Sequence, residues 1–358
     1  MPAVVRFTGP RSVELADEPA APLGPGSVRV RTAYSGISAG TELTAYRGSN
    51  PYLNRHWDPD DRLFTAGEPT VAYPVTGWGY SEVGQVVEVA ADVTAPQVGD
   101  AVWGIWGHRE EAVVAAAAVQ RHVMPAGSRL VDGVFARVGA IALNGVLASE
   151  VRLGEWLAVF GQGVIGLLAS RLAALSGAQV VAVDMLPERR KAAGAFGAQV
   201  LLDPLDEPGA AASIRRITDG RGADVALELS GAYPALHEAI RSVAPGGQVV
   251  AAGFYQGDGV GLRLGEEFHH NRVRVVASQI GGVPTSLSSR WNVERLQTSF
   301  MQQVYAGRVD VAPLITHTLP AKSVATAFEL LDTGGGEALQ VVLDFTGRSG
   351  DHTHQEAG

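Results

Sequence analysis

The segment Trp156–Leu175, WLAVFGQGVIGLLASRLAAL, constrains the fold of this chain more than any other stretch. Trp156–Phe160 form an apolar run of strand length that leads into Gly161, Gly163 and Gly166, after which the apolar spacing becomes helical. Each glycine has a separate task in such a turn. Gly161 permits the tight bend, Gly163 lets a ligand approach the backbone, and Gly166 lets helix and strand pack closely. Val164 and Ile165 open the helix, where unpaired N–H groups and the positive end of the dipole favour phosphate. Three spaced glycines are weak on their own in a chain with 44 of them, and a purely structural turn is the alternative. The strand before and the helix after point to a dinucleotide-binding turn.

Asp184 ends the next strand, 23 residues beyond Gly161, where an acidic side chain receives the ribose hydroxyls of an adenosine. A 2′-phosphate there would meet like charge, so NAD is expected in preference to NADP. Arg189 and Arg190 soften that argument, and Arg189 is counted among the cofactor residues. Asp184 also suits a helix N-cap. Ser230 follows the strand pattern ADVALEL, and Gly253 and Phe254 follow QVVAA. The carboxyl ends of parallel strands line the ligand crevice of an open α/β sheet.

Strands alternate with helices from about residue 138 to 284, which predicts an α/β Rossmann domain with a doubly wound parallel sheet. Residues 1–137 are strand-rich and punctuated by Gly and Pro, the pattern of a β-rich, barrel-like domain. Residues 285–346 are expected to return to that first domain, and 347–358 to form a disordered tail.

Composition removes several classes of function. There is no cysteine, hence no disulfide, thiol nucleophile or Cys-based zinc site. Lys191 and Lys322 are the only lysines, so neither a Tyr-x-x-x-Lys pair nor a P-loop exists. A net charge of −9 without any basic run offers no footprint for nucleic acid. No uninterrupted apolar stretch approaches the ~20 residues of a membrane helix. The N-terminus alternates like a strand and does not read as a signal peptide, so a cytoplasmic location is expected.

The order of these parts resembles the medium-chain dehydrogenase/reductase superfamily over about residues 1–346. The motifs that carry the likeness are SGISAGTEL (35–43), GYSEVGQVVEVA (79–90), VGDAVWG (98–104), FGQGVIG (160–166), PGGQVVAAGF (245–254) and RVRVVASQ (272–279). The resemblance implies a GroES-like catalytic domain and hydride transfer at an alcohol carbon. It also implies a homodimer, because RVRVVASQI would be a liability as a bare edge and pairs across a two-fold axis in the family.

The zinc enzymes of this superfamily carry a ligand Cys in the first motif and Gly-His-Glu in the second. Here Ser38 and Gly79-Tyr80-Ser81 stand in those places, and the four-cysteine zinc lobe is missing. Hydroxyls lack the thiolate and imidazole donors that zinc prefers, so no metal is expected. SGISAGTEL followed by GY is similar to a branch named for bacteriochlorophyllide dehydrogenases, which implies oxidation of a secondary alcohol and not the pigment. The acid–base work then falls on Tyr80 with Thr41, and Ser38 or Glu42 would extend the relay. A phenol ionises near pH 10 and needs help as a base. Tyr80 simply filling the space of a lost metal site is the alternative.

The stretch between the two motifs is long and rich in Arg47, Tyr52, Asn54, Arg55, His56 and Trp57. It is read as a substrate cap, with aromatics for a ring face and polar groups for hydroxyls, against a structural insertion. His269-His270 are read as a strand-edge pair, His352 and His354 as part of the tail, and His108 as part of a structural strand. The sequence thus predicts an NAD-dependent, zinc-independent oxidoreductase for a secondary alcohol or ketone, with sugars and cyclitols as candidate small-molecule substrates. The competing readings are a quinone or enone reductase and a non-catalytic dinucleotide-binding protein.

Overall fold

The structure, a computed structural model, describes residues 1–334 and 336–347. Of the expected tail, 348–358 lie outside the described residues. The chain divides into two compact units, one of Met1–Arg137 with the chain from Asp310, the other of Val138–Val309.

The second unit is the Rossmann domain. Its sheet runs Val200–Leu202, Gln179–Val183, Trp156–Phe160, Ala223–Glu228, Val243–Ala251, Arg274–Ala277, every pair parallel. Numbered along the chain this is 3-2-1-4-5-6, the order of doubly wound dinucleotide-binding sheets. The central strands bury both faces, with Leu157, Ala158, Val159, Val180, Val181, Ala226 and Leu227 fully inside, which is why they read as continuous apolar runs. Arg274–Ala277 is the edge strand and is largely exposed, Val275 at 39%. His269 and His270 belong to the short helix Glu267–His270 before it, and not to a strand.

The boundary expected at residue 285 falls at Val309 instead. The cause is the helix Val293–Tyr305, whose Leu296, Phe300 and Met301 are buried. The Phe300 ring sits against Gly139, where a Cβ would come within 2.1 Å of it. The apolar helical stretch Leu130–Ser149 is 20 residues long and apolar enough to cross a membrane by composition. It is 61% buried inside the protein, as a core helix is.

The other unit is β-rich. Ser27–Ile37 pairs antiparallel with Glu82–Val89 on one side. On the other side it pairs with Glu111–Ala115 and then with the closing strand Gln340–Asp344. The segment read as one long cap contains regular structure: the helices Ala39–Arg47 and Pro51–Asn54 and the hairpin His56–Asp58/Leu63–Thr65. Tyr46 and Phe7 pack on Phe328, at 5.5 and 5.1 Å between ring centroids. That aromatic packing seats the Ala39–Arg47 helix, which carries Thr41 and Glu42, on the core. Inserting a methyl into a filled core costs about 1–3 kcal/mol. Gly139→Ala is therefore expected to lower stability by that amount in denaturant unfolding, and adding Phe300→Leu is expected to restore most of it.

Candidate active site

The glycine turn explains itself by what a side chain would strike. A Cβ on Gly166 would lie 1.9 Å from the Gly161 carbonyl oxygen, and one on Gly161 (φ +88°) would lie 2.8 Å from the Ser230 nitrogen. The same holds one strand further on, where a Cβ on Gly253 would lie 2.3 Å from the Gly231 nitrogen. Gly161, Ser230, Gly253 and, through Gly231, Phe254 are thus brought together at the carboxyl ends of the central strands. Gly163 differs. Nothing lies within 4 Å of its Cβ position, and the helix Val164–Leu175 begins there without any side-chain cap. Open space in front of uncapped N–H groups is what a pyrophosphate needs.

Asp184 accepts from the Gln162 N–H at 2.7 Å and the Leu186 N–H at 2.9 Å. It closes a turn and is not the N-cap of the next helix, which is Leu186. Two of the carboxylate's roughly four acceptor positions are filled, which leaves capacity for ribose hydroxyls. Arg190 is spent on the Asp184 and Met185 carbonyls and on Asp203 at 2.9 Å. The Arg189 Nε is buried without a partner. Below this surface, Glu228 is fully buried and accepts from the Ser230 N–H at 2.8 Å, the Ser230 hydroxyl, the Gly231 N–H and the Tyr255 hydroxyl. Burial pushes its carboxyl upward against those four donors.

In the β-rich unit, Tyr80, Ser38 and Thr41 meet. The Tyr80 hydroxyl contacts the Ser38 Oγ closely and donates to the Thr41 Oγ1 at 3.3 Å. Ser38 is the N-cap residue of Ala39–Arg47, yet its hydroxyl caps nothing and remains available to the phenol. Burial raises the Tyr80 phenol above its ordinary pKa, Glu42 adds to this, and Arg137 opposes it together with the Ser38 and Thr41 hydrogen bonds.

Glu42 does not extend the hydroxyl relay as expected. Successive helical residues point about 100° apart, and Glu42 turns inward, 1% exposed, to bond the His108 Nε2 at 2.6 Å. The other ring nitrogen of His108 lies 2.6 Å from the Ser35 Oγ, and Ser35 donates to Glu82 at 3.1 Å. Glu82 also accepts from the Trp106 N–H at 2.9 Å. Burial pushes the Glu82 carboxyl up, with His108 opposing. Burial opposes protonation of His108, but the Glu42 charge and hydrogen bond, with Glu82, carry its pKa above the ordinary value. His108 was read as part of a structural strand; it is the fully buried centre of a network. Ser35 and Glu82, and the role of His108, were missed because their partners are remote in the chain and no local pattern marks them.

The residues assigned to substrate are mostly held by their own fold. Arg47 pairs with Asp332 at 2.5 Å, Asn54 donates to the Gly48 and Asn50 carbonyls, and Arg55 donates to the Phe64 carbonyl. Tyr52, Trp57 and Phe64 form an aromatic cluster with centroids 4.8–6.4 Å apart. His56 is exposed. Among the described residues, one group of imidazole and carboxylates has ligand atoms within 4.8 Å of one another: His237, Glu266 and Glu267. Arg263 and Arg241 already pair with the two glutamates.

The sequence profile of the family described as zinc-binding dehydrogenase matches residues 164–295. D-guloside 3-dehydrogenase of Escherichia coli (strain K12) is 30% identical over 346 residues, 94% of this chain and 98% of the relative. The chain belongs to the medium-chain dehydrogenase/reductase superfamily. It is an oxidoreductase of the alcohol dehydrogenase type. The fold also matches the crystal structures of 2R,3R-butanediol dehydrogenase from Bacillus subtilis, with TM-score 0.78, 22% identity and coverage of 96% and 99%. Galactitol-1-phosphate dehydrogenase from Escherichia coli gives 0.77, 20%, and coverage of 96% and 100%.

In this superfamily the cofactor is a nicotinamide dinucleotide, and the glycine turn fits one. Gly163→Val is expected to leave thermal stability near wild type while weakening NADH binding at least about tenfold, because its side chain enters only the ligand's space. Gly166→Ala is expected to lower the melting temperature itself. Fluorescence titration and thermal denaturation of both variants check this.

Proposed function

We propose that this protein is an NAD(H)-dependent dehydrogenase that interconverts a secondary ring alcohol and its ketone on a glycoside or related cyclic polyol, without a catalytic zinc. The observation that carries the reading is the cluster of three hydroxyls, Tyr80, Ser38 and Thr41, at the positions where the resemblance puts the metal and its relay. Zinc does not fit this donor set. The hydroxyls are neutral oxygens, the chain has no thiolate to offer, and the imidazole of His108 has both nitrogens engaged by Glu42 and Ser35. The polyol class is supported by the named activity of the guloside relative, and the Tyr52–Trp57–Phe64 cluster offers aromatic surface for a sugar ring.

Bound on the glycine turn, the nicotinamide would supply hydride acceptance or donation. Gly163 with the N–H groups of the following turn would hold the pyrophosphate, and Asp184 the adenosine ribose. Tyr80 does the proton work. With its pKa raised, the phenol is neutral at neutral pH and donates to a carbonyl oxygen during reduction. In the oxidation, the phenol first passes its proton to the Thr41 hydroxyl, which releases its own to solvent, and the phenolate then takes the alcohol proton.

Tyr80→Phe is expected to reduce kcat about 10²–10⁴-fold with NADH affinity unchanged. Wild-type activity on a panel of glycosides and cyclitols is expected to survive dialysis against a chelator. Loss of activity on chelation, restored by zinc, would sink the metal-free reading. The wild type is expected to bind NADH more tightly than NADPH, and Asp184→Ala to erase the preference; tighter NADPH binding would favour the reductase reading instead. We also propose a homodimer formed through the exposed edge Arg274–Ala277, for which light scattering is expected to give about twice the chain mass of 37.4 kDa. A mass of 37.4 kDa would refute it.

A further inference from the structure

His108 is tied both to the helix that carries Ser38 and Thr41 and to the loop that carries Tyr80. Its Nε2 bonds Glu42, next to Thr41 on that helix. Its backbone N–H donates to the Trp78 carbonyl at 3.0 Å, two residues before Tyr80. Between them Gly79 has φ +119°, and a Cβ there would lie 2.8 Å from the His108 nitrogen and from the Glu82 Oε1, and 3.0 Å from the imidazole Cε1. The loop that presents Tyr80 is therefore pressed onto the His108 ring. From below, the Val5 N–H donates to the His108 carbonyl at 2.8 Å and Ser35 holds Nδ1, so the residue is anchored on two strands.

The proton count follows from the donors. Ser35 has one hydroxyl hydrogen and gives it to Glu82, so its oxygen accepts from His108 Nδ1–H. The Glu42 charge and hydrogen bond favour a second proton on Nε2, so the imidazolium and the Glu42 carboxylate form a charge-balanced pair. The second Glu42 oxygen is buried with no partner, so its charge is balanced by His108 alone among the described residues. The charged groups that face Tyr80 are Glu42 on the Ala39–Arg47 helix and Arg137 at the start of Phe135–Ser149; those that face His108 are Glu42 and Glu82.

We propose that His108 is a positioning residue for the acid–base step: it locks the Tyr80 loop against the Ser38–Glu42 turn and neutralises the buried Glu42 carboxylate beside the phenol. The inference rests on the reading of Tyr80 as the proton donor and acceptor. It assigns opposite signs to two substitutions. Glu42→Gln removes the negative charge behind the phenol and makes ionisation easier. His108→Gln leaves Glu42 without its balancing cation and makes ionisation harder.

The experiment is the pH dependence of kcat/KM for alcohol oxidation in wild type, Glu42→Gln, His108→Gln, the double variant and Tyr80→Phe. NADH binding and thermal melts establish that each is folded. The expected result is a rising limb displaced by about one pH unit to lower pH in Glu42→Gln and to higher pH in His108→Gln. The double variant is expected to return toward wild type. A purely structural role would lower rates in both single variants with no displacement, and that result overturns the inference. If His108→Gln fails to fold, Glu42→Gln alone must still move the limb down, and an unmoved limb refutes the proposal. If Tyr80→Phe keeps full turnover, the reading of Tyr80 fails first; if Tyr80→Phe is inactive while the limbs coincide, only the role of His108 falls.

Discussion

The carboxylates of Glu42 and Glu82 are buried in the β-rich unit, and the His108 imidazole lies between them. Buried charge is tolerable only when paired and hydrogen-bonded, and removing one partner of such a pair costs about 3–5 kcal/mol. That constraint organises the catalytic half of the protein. To satisfy it, Ser35, Glu82, Trp106 and His108 must keep register across Ser27–Ile37, Glu82–Val89 and the loop after Ala101–Gly104. Keeping that register places the Trp78–Tyr80 loop directly on the imidazole, which only a glycine at position 79 permits.

The Rossmann unit is held by a different kind of constraint, the approach of backbone to backbone. Gly161, Gly166, Gly231 and Gly253 sit where any side chain would strike a carbonyl or an amide within about 3 Å, and together they bring the ends of three strands close enough to form a crevice. Under it, Glu228 satisfies the Ser230 and Gly231 amides and the Tyr255 hydroxyl. One buried carboxylate thus fixes a loop that would otherwise leave polar groups unpaired next to the ligand.

These two kinds of constraint explain what was legible in the sequence. Backbone approach needs glycine at fixed spacing after an apolar strand, so the turn Gly161–Gly166, the doubly wound parallel sheet and the position of Asp184 after the next strand could be read from the chain. Tyr80, Ser38 and Thr41 were legible through the family motifs they alter. His108, Ser35 and Glu82 were not, because their partners lie 47 to 73 residues away and no local pattern records such a pairing. The return boundary was misplaced for a related reason. The amphipathic helix Val293–Tyr305 has an apolar face, but only the notch at Gly139 says which unit receives it. Likewise Arg47, Asn54 and Arg55 read as free polar groups until their backbone and carboxylate partners are known.

The site also shows how charge can be handled when hydroxyls stand where relatives keep a metal. A bound cation would lower the pKa of nearby acidic groups by direct attraction. Here the Tyr80, Ser38 and Thr41 hydroxyls contact one another, and the Glu42 carboxylate behind them is paired with His108. Burial and Glu42 raise the pKa of the Tyr80 phenol, which on the proposed reading donates to a carbonyl oxygen and uses Thr41 to move a proton the other way. On the proposed role of Tyr80, whatever perturbs the Glu42–His108 pair reaches the acid–base step through the phenol, so that chemistry is bound to the packing of the strands that hold His108.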